Sequence, residues 1–244
     1  MSTQNGSGNL IDDNMGFYID MANPKSYNPS VTTDLYDLVY YKEEIKSTIL
    51  NGTFNTEAGG CLAFNGTSTY ATASITQPFN MSSISIWFKN TLDINSLSVA
   101  KNLFQLRSGY AFYLQIGGGT LLLNNEYIFL GSEIVGTSYR TGVVDGGSIP
   151  AGWNNIVLNW ESTVYKIYLN GVSLPTISGG GGDVPLLTNP DMVKIGAIED
   201  QAGPLRGFFD GKFSLLYISR RSLTPTEILF NYNKLKVRYG LITT

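Results

Sequence analysis

Hydrophobic and polar residues alternate along residues 153–171, WNNIVLNWESTVYKIYLNG. The period of two predicts a pair of β-strands joined at residues 161–163, because successive side chains of a strand point to opposite faces. One face of this pair carries Ile156, Leu158, Trp160, Tyr165, Ile167 and Leu169. Asn170-Gly171 favours a left-handed turn into a following strand. Since an isolated hairpin is marginally stable in water, we expect it to belong to a larger sheet.

The same alternation predicts further strands through most of the chain. A first strand is predicted over Gly16–Asp20, with Phe17 and Ile19 on one face. Others are predicted at residues 62–64, 70–72, 84–88, 112–116, 121–123, 127–130, 134–139, 193–198 and 212–219. Their alternation predicts sheets that are half-buried throughout.

Turn residues punctuate these strands. Asn65-Gly66 predicts a hairpin between the strands at 62–64 and 70–72, and Asp210-Gly211 predicts a turn before the last strand. The four glycines at 179–182 predict a loop, because no Lys-Ser or Lys-Thr follows them to complete a phosphate cradle. The stretch 33–50 remains open between a short helix capped by Thr33 and an irregular crossing, of which we favour the irregular form.

One helix is predicted near the end of the chain, in LTPTEILFNYNKLKVRYG. Thr224 can cap its first turn, Pro225 suits its first position, and Glu227 completes a capping box. Leu223 can pack on Ile228 as a hydrophobic staple. The apolar side should comprise Ile228, Tyr232, Leu235 and Tyr239, and Gly240 should end the helix. We attribute the basic residues Lys234, Lys236 and Arg238 to the helix dipole and to ordinary solvation.

Composition restricts the classes of function. A chain of 244 residues, 43% of them hydrophobic, can bury the core of a single domain, which we place at residues 16–244. Residues 1–15 are polar and predict an arm that is flexible or orders on a partner. A formal charge of −3 offers no basic surface for nucleic acid. We see neither a secretion signal nor a membrane-spanning stretch.

The order of several motifs resembles the laminin G-like, concanavalin A-like jelly roll. These motifs are the strand beginning at Trp153, Tyr168-Leu169-Asn170-Gly171, the strand beginning Asp210-Gly211-Lys212-Phe213, and the segment from Arg221 to Ile228. FNGTSTYAT at 64–72 and ISIWFK at 84–89 are similar to earlier parts of that domain. The resemblance covers residues 16–240 and implies an all-β sandwich of two antiparallel sheets with one short C-terminal helix. It departs at Asn154-Asn155, where relatives often carry histidine.

Both ends of this region also resemble a narrower group. YIDMANPKSY at 18–27 and NYNKLKVRYGL at 231–241 look like versions of the domain in tailed-bacteriophage virion proteins. This resemblance implies a structural virion protein on the particle exterior, made in the host cytoplasm. It would be a capsid decoration, neck or fibre component that docks on other virion proteins and can form a homo-oligomer.

The sequence argues against catalysis. Jelly-roll glycoside hydrolases need acids two or four residues apart on one strand, and no pair of acids here has either spacing. Asp12-Asp13, Glu43-Glu44 and Glu199-Asp200 are adjacent, while Asp34 and Asp37 fall in the irregular stretch. The chain contains no histidine, and its one cysteine, Cys61, is expected to be a buried apolar residue.

Neither a cofactor nor a metal is predicted. Laminin G-like domains sometimes bind calcium through loop oxygens, and the corresponding candidates are Asp93, Asn95, Asp183, Asp191, Glu199 and Asp200. They form no dense acidic loop, so we interpret them as solvated acids. The sequons at Asn5, Asn51, Asn65 and Asn80 are expected by chance in a chain rich in Asn, Ser and Thr.

An alternative function is that of a lectin-like module that contacts host-surface glycans. Aromatic side chains can stack on sugar rings, and the candidates are Tyr110, Tyr113, Tyr127 and Tyr139. By contrast, Trp153, Trp160 and Tyr168 are interpreted as core residues.

Overall fold

The computed structural model describes residues 14–28, 30, 34–39, 46–75, 79–91, 100–108, 111–117, 128–134, 137–143, 148–180, 182–199 and 204–241. Two large antiparallel sheets and one C-terminal helix make up this part of the chain, which confirms the predicted all-β fold class. Residues 1–13 lie outside it, so the predicted N-terminal arm stays a prediction.

Sheet I has eight strands. In spatial order they are β14 (Val172–Ser173), β13 (Val164–Leu169), β12 (Gly152–Glu161), β7 (Ser83–Asn90), β19 (Asp210–Ser219), β5 (Cys61–Asn65) and β4 (Thr53–Asn55). The eighth, β1 (Met15–Asp20), lies beside β19 along the part of that strand that β5 leaves unpaired.

Sheet II has nine strands. Their order is β15 (Ile177–Gly180), β11 (Thr137–Val143), β10 (Ile128–Ile134), β9 (Ala111–Ile116), β8 (Lys101–Arg107), β16 (Met192–Ile195), β6 (Tyr70–Ser74), β3 (Lys46–Leu50) and β2 (Asp34–Tyr36). A two-stranded ribbon of β17 (Ile198–Glu199) and β18 (Leu205–Arg206) follows β16 in the chain.

The main hydrophobic core lies between the two sheets. The predicted hairpin is present as β12 and β13, with Ile156 opposite Leu169, Leu158 opposite Ile167 and Trp160 opposite Tyr165. These six side chains belong to or pack on the core, as the alternation predicted. Asn170 and Gly171 both have positive φ, 52° and 81°, which is the turn geometry that this pair favours.

A second hydrophobic cluster covers the opposite face of sheet I. The helix α1 (Pro225–Lys236) and the 3-10 turn Val237–Tyr239 pack there against Trp87, Val157 and Tyr217. Sheet I is therefore buried on both faces, and the prediction of half-buried sheets throughout was wrong for it. The sequence did contain an indication of the second buried face, because the large apolar residue Trp87 lies on the side of β7 opposite Ile86. Trp87 is 0% exposed.

The start of α1 agrees with the sequence in each detail. The Thr224 side chain accepts the Glu227 N–H, the Glu227 side chain accepts the Thr224 N–H, and Pro225 opens the helix. Leu223 and Ile228 are both buried, as a hydrophobic staple requires. After the 3-10 turn, Gly240 adopts a left-handed conformation with φ of 71°. Local capping chemistry therefore specifies this element.

The predicted hairpin around Asn65-Gly66 was wrong. The turn exists, and Asn65 Oδ1 accepts the N–H groups of Thr67, Ser68 and Thr69. However, β5 belongs to sheet I and β6 to sheet II, so the turn carries the chain from one sheet to the other. A turn motif fixes local direction but not the strand that each arm will meet.

Other differences concern short strands. The stretch 33–50, predicted as irregular, contains β2 and β3; residues 40–45 lie outside the described chain. Gly179 and Gly180 extend β15 rather than forming a loop, and Asp210 and Gly211 are paired within β19. The strand β8 was not predicted, and residues 121–123 are not described. For the described strands among these, pairing with a distant strand decides the conformation.

Candidate functional site

A row of side chains crosses the face of sheet II that points away from the core. Cross-strand partners share a face, and one such row is Thr72, Lys194, Gln105, Tyr113 and Gly131. The residues on either side of the first four in sequence all belong to the core between the sheets. The row therefore forms the outer surface of sheet II, which we call the outer face.

Aromatic rings occupy one part of the outer face. The rings of Tyr113 and Phe129 meet edge to face, with centroids 5.7 Å apart. Gly131 lies beneath them, and a Cβ atom there would lie 2.6 Å from Cζ of Tyr113 and 2.8 Å from Cζ of Phe129. The absence of a side chain at Gly131 lets the Tyr113 ring lie against the strand. A half-buried ring fixed in this way is suited to stacking on a flat apolar ligand surface.

Charged and amide groups occupy the neighbouring part. The Lys194 side chain is 5% exposed and pairs with Glu199 on β17, and its ammonium holds the pKa of the Glu199 carboxyl below the usual range. Gln105 donates to Glu199 O at 2.8 Å and accepts the Glu199 N–H at 2.9 Å. These bonds attach the β17–β18 ribbon to the outer face. The Lys194 ammonium also lies 5.7 Å from the ring centroid of Tyr70.

Sequence reasoning missed most of the outer face. Of the glycan-contact candidates, Tyr113 lies on it, Tyr110 and Tyr127 fall outside the described residues, and only the backbone of Tyr139 is described. Lys194 and Gln105 were not identified, although each is a polar residue between apolar neighbours in a strand. That pattern could have indicated an outward row.

The two ends of the described chain join on the opposite side of the molecule. Arg238 Nη1 lies 2.8 Å from Asp20 Oδ1, and Asp20 is fully buried. Arg238 also donates through Nε to Ala58 O at 2.7 Å and through Nη2 to Ser214 Oγ at 2.8 Å. The interpretation of Arg238 as a solvated residue was therefore wrong, because its guanidinium connects β1, β19 and the turn at Ala58. We call these contacts the terminal junction.

A second ionic cluster lies near this junction. The Glu57 carboxylate accepts from Lys89, Lys212 and, at 2.9 Å, the Trp153 indole N–H. The hydrogen bonds from Lys212 and Lys89 lower the pKa of Glu57 to about 2. Glu57 pairs with both lysines and also accepts the Trp153 N–H, so each group in the cluster has a bonding partner. This arrangement is typical of a cluster with a structural role.

The Glu57 cluster makes a testable prediction about acid stability. Because the folded-state pKa of Glu57 is lowered, its contribution to stability is present above pH 4.5 and is lost as the pH falls toward 2. We expect Glu57→Gln to lower the free energy of unfolding by about 1 kcal/mol at pH 7. The difference in the free energy of unfolding between Glu57→Gln and the unmodified protein should be smaller at pH 4 and smaller still at pH 2.5, as measured by urea unfolding. In a Lys89→Met/Lys212→Met background the pH-dependent difference should vanish; its persistence would contradict this assignment.

The departure from the family pattern at Asn154-Asn155 also has a structural role. The Asn154 amide donates to Asn90 Oδ1 at 2.9 Å and to Pro150 O at 2.8 Å, and Asn154 Oδ1 accepts from Asn170. Asn155 donates to Ser85 Oγ at 2.9 Å. Both side chains are buried, so they satisfy one another and the nearby backbone.

Asp37 is a buried acid with a structural role. Burial raises the pKa of Asp37 to about 6, yet its carboxylate accepts the backbone N–H groups of Tyr18 and Val39. Those bonds hold the segment after β2 against β1. Burial likewise raises the pKa of the Cys61 thiol to about 11, and its 0% exposure agrees with the prediction of an apolar residue.

The calcium candidates do not converge where they can be placed. Asp191 pairs with Arg107, Glu199 pairs with Lys194, and Asp93, Asn95 and Asp200 lie outside the described residues. Within the described ranges no three His, Cys, Asp or Glu side chains group closely enough to hold a metal ion. The described part of the chain also has no helix with the length and apolarity needed to cross a membrane.

Comparison with known proteins identifies the fold. Residues 64–229, more than half of the chain, match the family model described as the concanavalin A-like lectin/glucanases superfamily. A search of curated proteins found no match.

Solved structures with the same fold include binding domains. One is domain 4 of AbnA, a GH43 extracellular arabinanase from Geobacillus stearothermophilus, solved in complex with arabinotriose. It has a TM-score of 0.60 to this structure and is 16% identical over 90% of this chain and 98% of that one. The botulinum neurotoxin serotype D binding domain has a TM-score of 0.61 and 13% identity over 91% of this chain. This chain spans about half, 51%, of the length of that domain. At these identities the likeness concerns the fold alone.

Proposed function

This chain belongs to the concanavalin A-like lectin/glucanases superfamily, and we propose that it is a non-enzymatic structural protein of a tailed-bacteriophage virion. It docks on the particle exterior by protein–protein contacts, as a capsid decoration, neck or fibre component. Other virion proteins are its partners, and it is made in the host cytoplasm.

The observation that carries this proposal is the terminal junction. The segments 18–27 and 231–241 are the two that resemble virion proteins, and Asp20 and Arg238 from these segments form the buried ion pair. Tyr18 packs on the same hydrophobic cluster as Tyr239. The two sequence resemblances therefore belong to a single structural unit, which supports reading them together.

The pairing of three described carboxylates with cationic side chains supports a non-enzymatic role for those three. Glu57, Asp191 and Glu199 each bind a cationic side chain. A glycoside hydrolase needs one protonated and one ionised carboxyl group about 5–9 Å apart on either side of a sugar. Carboxylates held by Lys and Arg stay ionised and cannot supply the proton.

Purified particles test the virion role. We expect mass spectrometry of intact, nuclease-treated virions to detect this chain, and immunogold electron microscopy to label it on the outer surface. If particles with complete capsids and tails lacked this chain, the proposal would be overturned. Detection only in the host lysate would do the same.

The aromatic part of the outer face favours a second candidate function, binding of host-surface glycans. Tyr113 presents a half-buried ring that the buried Phe129 ring holds edge to face, and a ring fixed in this way can stack on the apolar face of a sugar. This function is compatible with a virion role, because the outer face and the terminal junction lie on opposite sides of the sandwich.

Substitution of Tyr113 tests glycan binding. On a glycan array, we expect Tyr113→Ala to weaken any hit about tenfold, which corresponds to about 1.4 kcal/mol. Gly131→Ala should weaken it as well, since the new methyl group would displace the Tyr113 ring. Tyr36→Ala removes a half-buried ring at the far edge of sheet II and serves as the control. An array without hits, or equal binding by all variants, would rule out this site.

A further inference from the structure

The outward face of α1 and of the 3-10 turn that continues it carries exposed apolar side chains. Leu229 is 45% exposed, Phe230 38% and Val237 60%. Leu229 and Val237 lie two helical turns apart, with exposed Asn233 between them, so they line one side of the helix. Among the described residues the only other exposed large apolar side chain is Val172. Exposed apolar surface is thus concentrated on this element.

The same face carries two lysines that pair with no carboxylate of the described residues. Lys234 Nζ lies 5.2 Å from the ring centroid of Phe230, and Lys236 Nζ lies 5.8 Å from that of Tyr232. No carboxylate of the described residues lies within 4.0 Å of either ammonium group. The other basic residue of this segment, Arg238, is paired with Asp20. Lys234 and Lys236 therefore give this face a positive charge in a chain of formal charge −3.

The helix lies at the end of sheet I. A Cβ atom at Gly171 would lie 3.1 Å from Leu229 Cδ1, which places Leu229 on the turn that leads into β14. β14 is the end strand of sheet I, so one edge of its backbone is not paired within the sheet. A protein partner can contact this side of the helix and also offer polar groups to this edge.

We infer that Leu229, Phe230, Asn233, Lys234 and Val237, with Lys236 beside them, form the surface through which this chain docks on another virion protein. We call it the helix face. The partner surface carries apolar residues flanked by Asp or Glu, which complement the two lysines. This inference rests on the proposed virion role and names the surface that performs it.

The charge and the small size of the helix face favour this partner over a second copy of the chain and over a membrane. A second copy docked by its own helix face would bring lysines of like charge together around a two-fold axis. A membrane would gain little, because three apolar side chains and two lysines supply less than the two strong anchoring signals that stable attachment requires.

Zero-length cross-linking tests the helix face. In purified virions, a carbodiimide joins a lysine amine directly to a carboxylate that it contacts. We expect cross-links from Lys234 or Lys236 to an Asp or Glu of another virion protein. Acetylation of both lysines should be at least tenfold slower in virions than in the free chain, while half-buried Lys101 of sheet II reacts equally in both.

A charge-reversal pair provides the matched control. We expect Lys234→Glu/Lys236→Glu to reduce incorporation into particles that lack the chain at least tenfold, with an unchanged circular dichroism spectrum. Lys101→Glu should be incorporated normally. Equal acetylation in virions and in the free chain, with the chain present, would overturn the inference and leave the virion role intact. Absence of the chain from virions would instead overturn the virion role itself.

Two further outcomes would indicate a different partner for the helix face. Cross-links from Lys234 or Lys236 only to carboxylates of a second copy would indicate self-association. Co-sedimentation of the free chain with phosphatidylcholine–phosphatidylserine vesicles, abolished by the double reversal, would indicate a lipid surface. Either result would overturn docking on a different virion protein.

Discussion

Replacement of Trp87 by alanine is expected to lower the free energy of unfolding by about 3–5 kcal/mol, the usual range for a buried tryptophan. Trp87 is fully buried between sheet I and α1. Its ring stacks on Tyr239, with centroids 4.1 Å apart and planes within 9°, and on Tyr232, at 5.7 Å and 4°. The substitution would leave a cavity and remove both aromatic contacts, so the second hydrophobic cluster should lose its centre. Urea unfolding followed by circular dichroism measures the change.

Trp87→Phe is the matched control. The Trp87 indole N–H has no hydrogen-bond partner among the described residues, so phenylalanine keeps a stacking ring and discards a buried, unpaired donor. We expect a loss of about 1–2 kcal/mol, well below that of Trp87→Ala. Equal losses for the two variants would show that the stack contributes little. If Trp87→Ala does not fold, the comparison of Trp87→Phe with Trp87→Leu carries the same test.

Replacement of Arg238 by methionine should have a similarly large effect. Asp20 is fully buried, and the Arg238 guanidinium is its cationic partner at 2.8 Å. Methionine preserves much of the apolar stem but leaves a carboxylate buried without a counter-charge, which costs about 3–5 kcal/mol. The N–H groups that reach Ala58 and Ser214 are lost as well. Urea unfolding at pH 7 measures the free energy.

A double-mutant cycle isolates the ion pair. Asp20→Asn in the Arg238→Met background removes the uncompensated charge, and the amide can still accept the Ala22 N–H that now binds Asp20 at 2.9 Å. The double variant should therefore be more stable than Arg238→Met alone. If the second substitution destabilises the protein further, the buried pair is not the source of the effect.

Local sequence patterns predicted those parts of the structure that depend on neighbouring residues. The alternation in 153–171 gave the strands, their inward faces and the Asn170-Gly171 turn, because side-chain direction in a strand follows from spacing alone. The N-cap of α1 was predicted at Thr224 for the same reason, and Gly240, predicted to end the helix, ends the 3-10 turn that follows it. Local patterns did not predict which strands pair with one another. The Asn65-Gly66 turn was correct, yet the two strands that it joins lie in different sheets.

The candidate surfaces were the least predictable. Tyr113 was identified as an aromatic residue in a strand, but its position over Gly131 depends on the pairing of β9 with β10. Arg238 was predicted to be solvated, because its partner Asp20 is more than two hundred residues away in the chain and no local pattern connects them. A long-range ion pair becomes visible only after both elements are placed.

The sequence by itself determined the fold class, the hairpin at 153–171 and the capped helix, because strand periodicity, turn residues and caps act over a few residues. Only the tertiary structure decided that sheet I is buried on both faces, that Arg238 neutralises Asp20, and that Tyr113 and the helix face point outward. These features arise from strand order and from packing of α1 on Trp87, which bring distant residues together. The surfaces proposed for binding lie on either side of the sandwich that the 153–171 hairpin helps to form.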